Sequence, residues 1–269
     1  MFLLCQKTGQ LFRKAQMLRS LQREGESLMI KIAVLNESTV VKDADVLACT
    51  VALQAQVSRD FFPAWGIDAQ LNFHPSKIAP ADSWQLVILD DSDQADALGY
   101  HETTAAGLPL GKAFAASDIQ AGTSWTVTTS HELLEMLVDP EINTVVEQDN
   151  ADGSINFYAK EVCDAVEADS LGYSIAGPGG SADVLVSDFV LPLWFGNGEG
   201  SSFDFLKHTS AAFQLAPGGY ISILKIAADA TAGWQQVTAN LKPGGPAAPR
   251  GSRRWRRALA DTMWRRSRR

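Results

Sequence analysis

The segment Thr128-Thr-Ser-His131-Glu132-Leu-Leu-Glu135-Met-Leu-Val-Asp139-Pro140 constrains this chain more than any other. At about 100° per residue, His131, Glu135, Thr128, Asp139 and Glu132 fall within one arc of roughly 100°, while Leu133, Leu134, Met136 and Leu137 take the opposite side. The spacing predicts an amphipathic helix over Ser124–Val138, ended by Asp139-Pro140 because proline disfavours helical geometry in the residue before it. A solvated helix face usually mixes signs and gains from Glu–Lys pairs. This face has no Lys or Arg, and its acids repel one another as near neighbours on the helix. The excess continues downstream: from His131 to Asp169 there are eleven acidic residues and one basic, Lys160. Such a helix has to meet something positive or stay in water.

A divalent cation is the simplest positive partner. His131 and Glu135 are four residues apart, so both side chains reach one ion from adjacent turns. Glu132, beside His131, points aside and is placed to take a proton, as the glutamate of H-E-x-x-H peptidases does. Here Glu135 stands where that motif has its second histidine. Carboxylate oxygen is an acceptable zinc ligand, and it also admits calcium or manganese. For a third ligand the stretch Tyr158-Ala-Lys-Glu161-Val-Cys-Asp164-Ala-Val-Glu167 offers Glu161 and Asp164, expected to share a helical face. Either of the two can ligate while the other orients His131 through its second nitrogen; Glu161 as ligand and Asp164 as the orienting residue is the preferred arrangement, by a narrow margin. Cys163 is read as a buried inert thiol. Asp139 and Tyr158 are candidates for supporting or substrate contacts, and Tyr158 or Tyr173 for donating to a developing oxyanion. His101 is read as a loop histidine, because Ala105 follows at i+4 among turn residues. His74 and His208 lack acidic company in sequence. The Asp90-Asp91-Ser-Asp93 run is read as a solvated acidic loop, lacking the glycine and distal glutamate of an EF-hand.

The rest of the chain frames this helix. Strands are expected at Ile30–Leu35, Ala69–Phe73, Trp84–Leu89, Pro109–Ala115, Ile155–Ala159, Val184–Phe189 and Tyr220–Ile226, with one long helix over Asp43–Trp65. That order points to an α+β fold, a twisted mixed sheet with helices on one face and the motif on a central helix. With 269 residues, 46% of them hydrophobic, the chain can fill a sizeable core. The expected body is residues 29–240. Residues 1–28 are expected to be a poorly ordered appendage, and 241–269 a Pro/Gly linker running into a disordered Arg-rich tail.

Charge divides along the same lines. Residues 250–269 carry nine Arg against one Asp, and residues 1–28 carry five basic against two acidic side chains. The net charge of −8 therefore leaves the stretch between them strongly acidic. An acidic body repels phosphates, which argues against nucleic acid as partner of the core domain. No apolar run reaches the roughly 18 residues of a spanning helix. The first residues lack the basic and apolar regions of a secretory signal, so the cytoplasm is the default expectation and localisation stays open. Three cysteines, none in a C-x-x-C pair, make no disulfide framework.

The run Ser130-His-Glu-Leu-Leu-Glu-Met-Leu-Val-Asp-Pro140, followed by Glu161-Val-Cys-Asp164, resembles the zincin-like metallopeptidase family. That family carries Ser-His-Glu-x-x-Glu-x-x-x-Asp-Pro and a later Glu-x-x-Asp, mostly in uncharacterised bacterial and phage proteins. Plant exordium-type secreted proteins carry a similar pair of motifs. The resemblance runs from about Met29 to Ile226. It implies a zincin-type layout, in which the strand bordering the cleft, here Gly111–Ala115, lies at the sheet edge and offers its backbone to an extended peptide. It also implies a zinc-dependent peptidase acting on a peptide or protein. Two other readings accompany this one: a catalytically inactive binding protein on the same frame, and a structural calcium-binding protein.

Overall fold

The computed structural model describes residues 29–94 and 97–239. The expectations for 1–28 and for the tail from 241 fall outside these residues. The described part is α+β, with one mixed sheet, one antiparallel sheet, a short hairpin and few helices. Among the described residues no helix is long and apolar enough to cross a membrane.

The first sheet holds β1 (Ile30–Asn36), β2 (Ala69–Phe73), β3 (Trp84–Leu89), β4 (Gly99–Thr103) and β5 (Pro109–Phe114), in the order β2-β1-β3-β5-β4. β1, β3 and β5 run parallel, and β4 is antiparallel to β5. Val34 pairs with Leu86 and Leu86 with Gly111, so Ile32, Val34, Leu86, Ile88, Gly111 and Ala113 share one face. Ala33, Leu35 and Val87 pack with Ala79, Leu89 and Leu110 on the other. Near-continuous apolar strands are what a sheet covered on both faces requires.

β5 is therefore an inner strand, and the edge belongs to β4, which corrects the expected edge at Gly111–Ala115. The signal for β4 was a hairpin: the alternating Gly99-Tyr-His-Glu-Thr103 returns through a turn in which Thr104 and Leu108 pair, and enters β5.

The expected helix Asp43–Trp65 is present in three parts. α1 (Asp43–Ala55) passes into a π-helical stretch, Gln56–Phe61, and then into the short α2 (Phe62–Trp65). α3 (Ala115–Ala121) precedes α4 (Trp125–Val138), the motif helix. Beyond it, β6 (Val145–Asp149), β7 (Ile155–Ala159), β10 (Tyr220–Ile226) and β11 (Ala232–Thr238) form the antiparallel sheet, in the order β11-β10-β7-β6. β8 (Tyr173–Ile175) pairs with β9 (Val184–Val186), shorter than the strand expected at Val184–Phe189. Sequence reading passed over β4, β6, β8 and β11, which are short or largely exposed and carry little apolar alternation.

Three contacts seat α4. Ser124, at its N-cap, donates its amide to the Asp169 carboxylate at 2.7 Å, which favours the positive end of the helix dipole. Thr126 donates to the Leu185 carbonyl at 2.6 Å. Ser130 donates to Gln56 Oε1 at 2.7 Å and accepts from the Ser187 amide, while Gln56 Nε2 donates to the Ser187 carbonyl. The Gln56 that closes this network opens the π-helical stretch, where the altered winding brings it inward.

Candidate metal centre

α4 is buried along nearly its whole length. His131 is 7% exposed, Glu132 4% and Glu135 0%, so the acidic face is no solvated helix face. It packs onto β4 and β5 through two glycines. A Cβ on Gly99 would meet Thr128 Cγ2 at 2.6 Å, Glu132 Cγ at 2.9 Å and the Lys112 carbonyl at 2.9 Å; one on Gly111 would meet Leu86 Cδ1 at 2.9 Å. Only a residue without a side chain lets the helix approach this closely.

The chain reaches the far side of the centre after two reversals. The Asp139 carboxylate accepts the amides of Asn143 and Thr144, both at 2.9 Å, and turns the chain into β6. β7 then leads back to Glu161–Asp164, which lie against α4. Cys163 and Asp164 donate their amides to Glu135 Oε1 at 3.1 and 3.3 Å. Oε2 of the same carboxylate faces His131 Nε2 at 3.1 Å, and Asp164 Oδ1 faces that nitrogen at 3.2 Å.

Asp164 thus converges with Glu135 on the same nitrogen of His131. It does not stand behind the ring on the second nitrogen, which corrects the expected role. Nor do Glu161 and Asp164 share a helical face: residues 161–163 are irregular, and a single 3-10 turn, Asp164–Val166, follows. Glu161, 1% exposed, groups with His101 and Glu135.

His101 is the residue that sequence reading misplaced. It sits on β4, 0% exposed, opposite Gly111 and on the face that meets α4. Its Nε2 lies 3.1 Å from the Asp139 carbonyl oxygen, and its Nδ1 lies 3.6 Å from Glu132 Oε2. A search for i+4 ligand pairs cannot find it, because the strand brings it in from 30 residues upstream of His131.

Cys163 also enters. Its sulfur, a His131 nitrogen and a Glu135 oxygen lie within 4.8 Å of one another, as do donor atoms of His101, Glu135 and Glu161. Burial pushes the Cys163 thiol well up, so without a cation it stays protonated. Tyr158 is placed elsewhere: its hydroxyl donates to Gln148 Oε1 at 2.9 Å, and its ring stacks on Phe213. Tyr173 donates to Asp60. Lys160, the one basic residue in the acidic stretch, has its ammonium over the Trp65 ring at 5.2 Å.

The donor atoms of His131, Glu135 and Cys163 lie close enough together to hold a metal ion. Ligand atoms about 2.0 Å from a tetrahedral zinc stand about 3.3 Å apart. The separations from His131 Nε2 to Glu135 and Asp164, 3.1 and 3.2 Å, are close to that edge. Electrostatics agrees. Burial disfavours the charged imidazole, but Glu135 and Asp164 outweigh it and hold His131 well above its ordinary pKa. The position calls for positive charge at Nε2, which a proton or a metal ion supplies. Glu167, partly buried nearby, is pushed up to about 7 by burial and by the neighbouring Asp164 and Glu135, against the lowering effect of His131.

No family model, curated protein or solved structure matches this chain.

Proposed function

We propose that the chain is a zincin-like, zinc-dependent hydrolase, most simply a peptidase. The convergence of Glu135 and Asp164 on His131 Nε2, with Glu132 buried on the same helix, carries the reading. His131, Glu135 and Asp164 would hold the ion. Two imidazoles and a thiol among the nearby donors suit zinc better than calcium, which takes oxygen ligands. The ion supplies Lewis acidity toward a carbonyl oxygen and lowers the pKa of water.

The protein does the rest. Glu135 is held by two backbone amides on one oxygen, so the other is presented without rotational freedom. Glu132 Oε2 accepts the proton of the attacking water and returns it to the leaving amine. Gly99 and Gly111 allow α4 to lie against the sheet, which puts Glu132 next to edge strand β4. β4, the last strand of the sheet among the described residues, suits an extended peptide, whose backbone would pair with it and bring the scissile carbonyl toward Glu132.

The test is zinc content and hydrolysis of an unstructured protein such as casein. Wild type is expected to hold zinc and cleave. Glu132→Gln should keep the zinc and lose at least 100-fold in rate, the usual scale for a general base. His131→Ala should lose both. Zinc retention without cleavage, in a screen of varied peptides, would replace the hydrolase with a binding protein on this frame. Absence of zinc affinity would end the reading.

A further inference from the structure

His101 carries the arrangement of a metal-ligating histidine. Its Nε2 is 3.1 Å from the Asp139 carbonyl oxygen, a group that can only accept. The proton therefore sits on Nε2, and in the neutral ring the lone pair is on Nδ1. Histidines that bind metals are commonly fixed in this way, the second nitrogen donating to a backbone carbonyl. Nδ1 faces carboxylates: Glu132 Oε2 is 3.6 Å away. In that tautomer Nδ1 is the nitrogen that would ligate a cation.

The acceptors around it are arranged to share such a cation. Donor atoms of His101, Glu135 and Glu161 all lie within 4.8 Å of one another, and the three residues are at most 1% exposed. Glu135 is common to this set and to the set around His131. Asp164 is the further carboxylate at His131 Nε2, while Glu161 groups with His101.

We propose that His101, Glu135 and Glu161 form a second divalent-cation position beside that of His131, Glu135 and Asp164, with Glu135 bridging the two. The inference rests on the metal reading above and extends it from one ion to two. Charge supports it. Glu132, Glu135, Glu161 and Asp164 bring four carboxylates into one buried cluster. Two divalent ions would bring the charge that balances four ionised carboxylates. Paired ions at about 3.5–4 Å are the spacing that a carboxylate bridge provides. His101, Glu135 and Glu161 would hold the second ion.

The experiment counts zinc on the full-length chain, stripped with chelator, reloaded with zinc and equilibrated against a weak competing chelator to clear surface sites. Wild type is expected to hold two equivalents. His101→Gln and Glu161→Gln should each hold one, His131→Gln one, and Glu135→Gln should lose affinity at both. X-ray absorption on the loaded wild type should show a zinc–zinc shell that His101→Gln abolishes. Circular dichroism checks each variant, and Glu161→Gln carries the test if His101→Gln does not fold. A single equivalent in wild type overturns the second position and leaves the first intact. Two equivalents that survive both His101→Gln and Glu161→Gln also overturn it. No zinc at all in wild type overturns the proposed function as well.

Discussion

Two clusters of buried acids in this protein are built in opposite ways. Around Asp188 and Asp204, 1% and 0% exposed, the backbone provides the solvation. Asp188 Oδ1 accepts the amides of Phe189 and Leu206; Asp204 accepts those of His208 and Thr209 together with the Thr209 hydroxyl. His208, expected to lack acidic company, stands 3.8 Å from Asp188 Oδ2 and 3.1 Å from the Leu171 carbonyl oxygen. This cluster fastens loops. In the cluster on α4, two amides reach Glu135, and imidazoles face the acids from α4 and from β4. Carboxyl groups met by backbone amides are held in place and tie the loops together. Those set against histidines and further carboxylates are arranged for a cation.

The contrast is most easily broken by metal. If the α4 cluster is the cation site, zinc at 1,000 times its dissociation constant adds about 4 kcal/mol of stability. For a domain of this size that is roughly 8–16 °C in melting temperature. Calorimetry with zinc and with chelator reads it. His131→Ala should remove the increment, and Asp188→Asn should leave it intact; equal sensitivity in both variants would erase the distinction.

A smaller effect is expected from Gly99→Ala. The added methyl meets Thr128, Glu132 and the Lys112 backbone at under 3 Å, so α4 has to move off β4. Overpacking of this kind costs about 1–3 kcal/mol. Denaturant unfolding should show that loss together with weaker zinc binding, because the shift moves the whole ligand helix. Unchanged zinc affinity would separate the helix–sheet approach from the site.

The smallest effect is a pH dependence. Burial, with the adjacent Asp204 carboxylate, raises Asp188 to about 8, against the lowering effect of the Phe189 amide. Asp204 moves the other way: burial would raise it, but the Thr209 hydroxyl and the backbone amides outweigh burial. The folded state thus keeps a proton on Asp188 that the unfolded chain releases near the ordinary carboxyl value of about 3.9. Stability from this group is complete below that value and is lost as pH rises through the window up to about 8. Asp188→Asn should flatten the melting temperature between pH 5 and 8 relative to wild type and raise it at pH 8. A parallel pair of curves would show that the two acids do not share a proton.

Much of the α4 cluster was readable beforehand. His131, Glu132 and Glu135 lie on one helical turn, and local periodicity places them together whatever the rest of the chain does. The same periodicity located the apolar side that faces the core. The assignments that went astray were non-local. Which way Asp164 and Glu161 turn was not legible, because the return from β7 is an irregular segment, where side-chain direction has no period to follow. His101 was missed because its partners lie across a sheet–helix interface.

Local pattern was enough for the motif helix, its termination at Asp139-Pro140, the acidic stretch that begins on it, and the positions of strands β1, β2, β3 and β5. Each of these depends on residues a few positions apart, where backbone geometry alone dictates which side chains meet. Tertiary structure decided that β4 takes the sheet edge, that the acidic face of α4 is buried, and which carboxylate turns to which histidine. Those outcomes depend on strand order, on the closeness allowed by Gly99 and Gly111, and on where the chain returns after β7. Such long-range packing joins residues that no local pattern connects.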